Sequence, residues 1–179
     1  MNSLYIQIII WIFLIWVLGF FSLAPFVPTR KSDLWRILKL IDLKENENFL
    51  EIWCWTAKVS IFIAQNYPNN QVVWIELSPI FYLISKIKVF FSWTKNLKII
   101  FWNALNLNFW DYDVIYVFWL PQTITKKILP KLEKEMKQSS RFFSYCFQIE
   151  SENNLVETKH KENPNFNSIY EYKKWTIQK

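Results

Sequence analysis

Apolar and polar positions along the chain fall into two rhythms. The first 23 residues are dominated by one unbroken apolar block, LYIQIIIWIFLIWVLGFFSL (4–23), which has no charge and one glutamine. From residue 48 onward, short apolar runs alternate with segments whose apolar residues recur at helical spacing. The runs NFLEIW (48–53), QVVWIEL (71–77), NLKIIFW (96–102), DVIYVFW (113–119), RFFSYCFQI (141–149) and NSIYEYKKW (167–175) predict strands. The segments SDLWRILKLIDL (32–43, capped by Ser or Asp), TAKVSIFIAQNY (56–67), SPIFYLISKIKVFFSW (78–93) and PQTITKKILPKLEKEMKQ (121–138, kinked at Pro130) predict helices. PFVPTR (25–30) reads as a linker, KENEN as a loop, YPNN as a turn and the rest of the tail as polar. Strands that alternate with helices imply βαβ units: an α/β fold with a doubly wound, mostly parallel sheet. Ligands of such sheets bind outside the carboxyl ends of the strands.

The block 4–23 has the length of a bilayer-spanning helix. A signal peptide fits less well, because MNS carries no basic residue and no small-residue cleavage site is clean; a buried core helix is the third reading. Arg30, Lys31 and Arg36 follow the block and only the α-amine precedes it, which orients the remainder toward the cytoplasm. The expected organisation is an anchor over 1–24, a linker with an amphipathic helix over 25–47, and a catalytic-type domain over 48–179. The location is a bacterial-type cytoplasmic membrane, crossed once.

Composition changes this picture at one point. The net charge is only +6 and the lysines are scattered, so no nucleic-acid partner is implied. Cys54 and Cys146 suggest neither a disulfide framework nor a metal site, Cys54 reads as a packing residue, and His160 sits in the polar stretch ETKHKENPN as a solvated loop residue. Glycine is the anomaly: a chain of this length should hold roughly 12, yet it holds one, Gly19, beside eleven tryptophans. When tryptophan is read as glycine, Trp53 and Trp55 become a glycine turn after the first strand. Trp93 becomes a helix stop, and the strand segments around Trp74, Trp102 and Trp119 improve as well. UGA is read as tryptophan in some genetic codes and as glycine in others, so the expectation is that these positions are glycines decoded as tryptophan. The competing reading is that the indoles are genuine core aromatics.

With glycine at those positions, Glu51-Ile52-Trp53-Cys54-Trp55-Thr56-Ala57 and residues 25–150 around it resemble the class I S-adenosylmethionine-dependent methyltransferases, whose fold is Rossmann-like. Ala57 stands where a third glycine is common. A dinucleotide-binding turn is the competitor, but Lys58 occupies its last small position and an acid precedes the turn. The resemblance implies S-adenosyl-L-methionine as cofactor. Trp53, Cys54 and Trp55 would form the turn, with Glu51 facing the methionine end. Glu76 would accept from the ribose hydroxyls and Asn103 from the adenine amine, while Ile75, Leu77 and Ala104 would wall the base. Thr29, with Phe26 and Pro28, would close over it.

PFVPT, IELSPIFYLISKIK and VFWLPQ are similar to segments of the small membrane-anchored protein-lysine methyltransferases, a group that includes the ATP synthase c-subunit lysine methyltransferase. That likeness implies a lysine amine as acceptor, positioned by Phe118 and Pro121, with Trp119 (as glycine) and Leu120 beside them. It also implies a membrane partner through 4–23 and no metal. A lipid or quinone acceptor is the alternative, and a non-catalytic, plugged interaction module is a third reading.

Overall fold

The unalternating apolar runs require a sheet covered on both faces. The computed structural model describes residues 3–20, 29–53, 55–150 and 155–174. It has seven strands in one sheet: β1 (Phe49–Ile52), β2 (Val72–Glu76), β3 (Leu97–Phe101), β4 (Val114–Val117), β5 (Arg141–Tyr145), β6 (Leu155–His160) and β7 (Ile169–Lys174). Their order is β3-β2-β1-β4-β5-β7-β6. The first five are parallel, and β7 runs antiparallel between β5 and β6. Strand order reverses between β1 and β4, which opens a crevice at their carboxyl ends.

The period-two alternation of the strands sorts the core into two layers. Leu50, Ile52, Val73, Ile75, Ile115 and Val117 pack with Phe109, Ile124, Ile128, Leu132 and Met136. Phe49, Val72, Trp74, Val114 and Tyr116 pack on the other side with Leu34, Ile37 and Ile41 of α2 (Lys31–Ile41) and Val59 and Ile63 of α3 (Lys58–Asn66). The remaining helix between β2 and β3 is α4 (Pro79–Ser92).

Several expectations need correction. α2 follows an extended Arg30 with no side-chain cap, because Asp33 is engaged elsewhere. The single helix expected over 121–138 is α5 (Pro121–Thr123), a π-helical stretch (Ile124–Ile128) and α6 (Leu129–Glu135). Pro130 offers no N–H and its ring crowds the preceding turn. The chain widens just before it, where the Leu129 N–H reaches back five residues to the Ile124 carbonyl. β5 stops at Tyr145, as Cys146 turns left-handed at φ 71°. β6 lies in the tail read as polar: at the sheet edge it needs no apolar face. His160 therefore ends a strand, with its Nε2 3.1 Å from Glu171 Oε2, and is not a loop residue.

The amino-terminal helix α1 (Ser3–Phe20) has 18 residues. Among the described residues no helix is long and apolar enough to cross a membrane. Residues 21–23 of the expected span, Phe26 and Pro28 lie outside the described residues, as does Cys54.

Candidate active site

The crevice begins where β1 runs out. The Trp53 N–H still donates to the Ile75 carbonyl at 3.1 Å, extending the ladder to β2 by one residue. The backbone then turns left-handed at alternate positions: φ is 52° at Trp53, 60° at Trp55 and 49° at Ala57. Each such residue with a Cβ is strained by about 1–2 kcal/mol, and for a bulky side chain the conformation is an outlier. Trp93, the residue that ends α4, is left-handed as well (φ 58°, ψ 20°). Four positions where glycine is expected or common thus have the backbone that glycine favours. Trp74, Trp102 and Trp119 do not share that feature: none has a positive φ, and Trp74 lies within β2.

The indoles occupy the crevice. Trp53 and Trp119 have ring centroids 5.5 Å apart, Trp55 stacks on Trp119 at 6.3 Å, and Trp55 meets the edge of Phe81 at 4.5 Å. The buried Nε1 groups of Trp53, Trp74 and Trp119 have no hydrogen-bond partner. An indole N–H can only donate, and an unmet buried donor costs about 1–3 kcal/mol. The backbone of this turn fits a nucleoside cofactor, whereas the side chains at 53, 55 and 119 fill the space such a cofactor needs.

Glu76 ends β2 at the rim of the crevice, buried. Its Oε1 accepts from the Leu77 N–H at 2.9 Å and the Ser78 N–H at 2.8 Å. Burial pushes its carboxyl up to about 7 against those two N–H donors, and Glu51 adds to the rise. Glu51 lies one strand over, fully buried, between Trp74 and Tyr116 in register. Its Oε2 accepts from the Ser60 N–H at 2.7 Å and from the Ser60 hydroxyl. One of its oxygens therefore holds the start of α3.

Past β3, Asn103 Oδ1 accepts from the Leu105 N–H at 3.0 Å, capping a short 3-10 turn (Ala104–Asn106). Ala104 is buried and Leu77 exposed. Thr29 is buried, and its carbonyl accepts from Lys58 Nζ. Phe118 follows β4, edge-on to Tyr145 at 5.0 Å and stacked on Phe147 at 6.1 Å; Pro121 opens α5. The crevice thus gathers Trp53, Trp55 and Trp119 and is bordered by strand ends that carry Glu76, Asn103 and Phe118.

Sequence reasoning missed a buried polar cluster beside Phe118. Arg36 Nη1 lies 2.9 Å from Asp33 Oδ1 and donates to the Asn167 carbonyl at 3.0 Å. The Tyr145 hydroxyl donates to Asp33 Oδ2 at 2.6 Å and accepts from Asn167 Nδ2 at 2.7 Å. Burial, with Asp33 adding to it, pushes the Tyr145 phenol up, and burial pushes the Cys146 thiol up to about 12. These partners lie up to 131 residues apart, so no local signal announces them. Among the described residues no group of three or more His, Cys, Asp or Glu could hold a metal ion.

No protein-family model matches the chain. A protein-lysine N-methyltransferase of Saccharolobus islandicus is 23% identical over 128 residues, covering 70% of this chain and 78% of that protein. An RNA methyltransferase from Salinibacter ruber, crystallised with S-adenosyl-L-homocysteine, superposes with a TM-score of 0.71 at 16% identity, over 84% of this chain and 96% of its own. A precorrin-6y C5,15-methyltransferase from Geobacter metallireducens gives 0.62 at 13% identity, over 88% and 94%. A SAM-dependent O-methyltransferase from Thermotoga maritima gives 0.63 at 14%, over 85% and 68%. The fold is that of the S-adenosylmethionine-dependent methyltransferases. The acceptors named for these proteins differ, so the fold alone selects none of them.

Proposed function

We propose that the chain is an S-adenosylmethionine-dependent methyltransferase in which Trp53, Trp55, Trp74, Trp93, Trp102 and Trp119 stand at positions its gene specifies as glycine. The observation that carries this reading is the left-handed backbone at Trp53, Trp55 and Trp93. With bare backbone there, the β1 turn becomes a cradle and the crevice empties. The cofactor, when bound, supplies an electrophilic methyl on a sulfonium. In this reading Glu76 accepts from the ribose hydroxyls, and Leu77 and Ala104 flank the base near Asn103. The chain needs chiefly to align an acceptor and exclude water.

For the acceptor we propose a lysine amine of a protein, supported by the 23% identical protein-lysine methyltransferase. Such an amine titrates near 10.4 in water, and an apolar mouth lowers that value by disfavouring the charged form. Pro121, half-buried at the start of α5, provides apolar surface at that mouth, whereas Phe118 is buried against Tyr145 and Phe147. We further propose that residues 4–23 anchor the chain in a cytoplasmic membrane with the domain on the cytoplasmic side. The large apolar residues of α1 from Leu4 to Leu14 are exposed, which supports this anchor.

The first test is the gene. Unambiguous UGG triplets at these six positions overturn the glycine reading and leave a plugged, non-catalytic domain. The second test gives the glycine-bearing chain tritiated S-adenosylmethionine and native membranes. Label is expected in protein, as an acid-stable methyl-lysine. Label in the lipid fraction alone replaces lysine by a lipid or quinone acceptor, and absence of transfer removes the enzyme reading.

A further inference from the structure

Helix α4 turns its apolar side outward. Leu83, Ile87, Phe90 and Phe91 fall at i, i+4, i+7 and i+8, one stripe with Ile84 beside it. They are exposed by 61%, 60%, 75%, 68% and, for Ile84, 39%. The opposite side of the helix carries Ser85, its one fully buried residue, together with the half-buried Phe81, Val89 and Ser92. Lys86 and Lys88 fall about 60° before and 140° past the Leu83 direction at 100° per residue, one on each border of the stripe. From Leu77 to Trp110 the chain has four lysines, Lys86, Lys88, Lys95 and Lys98, and no aspartate or glutamate. All four are exposed.

We propose that α4 lies flat on an anionic bilayer surface, with Leu83, Ile84, Ile87, Phe90 and Phe91 immersed and Lys86 and Lys88 at headgroup level. An apolar stripe bordered by lysines is the pattern of an interfacial helix. The acid-free stretch from Leu77 to Trp110 matches a negatively charged leaflet, toward which each basic residue adds attraction. A nucleic acid would meet the lysines but leave the apolar stripe in water. A second copy of the chain, related by a two-fold axis, would bring these lysines against their own equivalents with no acid between them. The stripe uses none of the positions read as glycine, so the proposal stands apart from the methyltransferase reading and from the anchor over 4–23.

Hydrogen exchange on the full-length chain tests it, read over residues 79–92 and, as a folding control, over 58–66. The chain is held in phosphatidylcholine vesicles with or without phosphatidylglycerol. Exchange over 79–92 is expected to slow by about tenfold when the anionic lipid is present, and Lys86→Gln with Lys88→Gln is expected to abolish most of that difference. Phe90→Glu with Phe91→Glu should remove the protection in both kinds of vesicle while 58–66 exchanges as before. Equal rates over 79–92 in anionic and neutral vesicles overturn the proposal. So does protection that grows with protein concentration in the absence of lipid, which would assign the face to a second copy.

Discussion

At the scale of single residues, the tryptophans differ in what their side chains and backbone do. Trp35 on α2 meets the edge of Phe62 at 4.9 Å and behaves as an aromatic. Trp93 is 86% exposed and sits in a left-handed helix stop. There the side chain gains little and the Cβ is strained. Trp93→Gly should therefore stabilise the fold by about 1 kcal/mol, and Trp93→Ala, which keeps the Cβ, by less than half of that. Urea midpoints at constant slope measure both, and equal effects would remove the backbone argument at this site.

Glu76 makes a second prediction at this scale. Its carboxyl titrates near 7 in the fold against an ordinary 4.5, raised chiefly by burial. Between those values the folded chain holds a proton that the unfolded chain has released. The stability from this group is complete below pH 4.5, declines as pH rises and is gone above 7. Glu76→Gln should flatten that decline in melting temperature between pH 5 and pH 8. At positions 53, 55 and 93 a backbone of the kind glycine favours was legible from turn chemistry. It was less legible at 57, where alanine is small enough to pass for a tolerable variant yet turns left-handed.

At the scale of elements, helical and strand periods located, among the described residues, α1 to α4, the helical stretch from Pro121 to Glu135 and every strand but β6, and missed the short 3-10 turns; the ends were set by contacts that no local window contains. α2 shows why. Its apolar spacing is plain in SDLWRILKLI, but its residue for an amino-terminal cap is spent on tertiary structure. Asp33 is fully buried, paired to Arg36 and accepting from Tyr145 of β5, while Arg36 reaches the Asn167 carbonyl ahead of β7. This cluster fixes α2 against the far half of the sheet. Asp33→Ala leaves a buried guanidinium without its carboxylate and should cost about 3–5 kcal/mol. Asp33→Asn retains an acceptor for the Tyr145 hydroxyl and should cost less. A loss below about 1 kcal/mol for the alanine variant would show that α2 is held by its apolar face alone. β6 escaped notice for the opposite reason: one strand neighbour and a wet face demand no apolar run, so its pattern matches that of a polar loop.

At the scale of the whole molecule, strand–helix alternation was enough to give the parallel half of the sheet and to place the crevice at its reversal. A crevice plugged by indoles was also legible from Trp53 and Trp55, but not which rings would meet inside it. Three rings from two strand ends do: Trp53 and Trp55 each contact Trp119. Because the rings largely bury one another, the losses on removing them together do not add. Their joint replacement by glycine opens a cleft to water rather than a dry void. The glycine-bearing chain should therefore fold with lower stability and recover it from the ligand. At a cofactor concentration about 100 times the dissociation constant, binding stabilises by about 2.7 kcal/mol. At about 2–4 °C per kcal/mol for a domain of this size, the melting temperature should rise by about 5–10 °C. The tryptophan chain, whose rings hold the same volume, should show no shift. A shift in both chains would mean that the indoles do not obstruct the crevice; no shift in either would mean that the left-handed turn after β1, whatever its side chains, does not cradle this nucleoside.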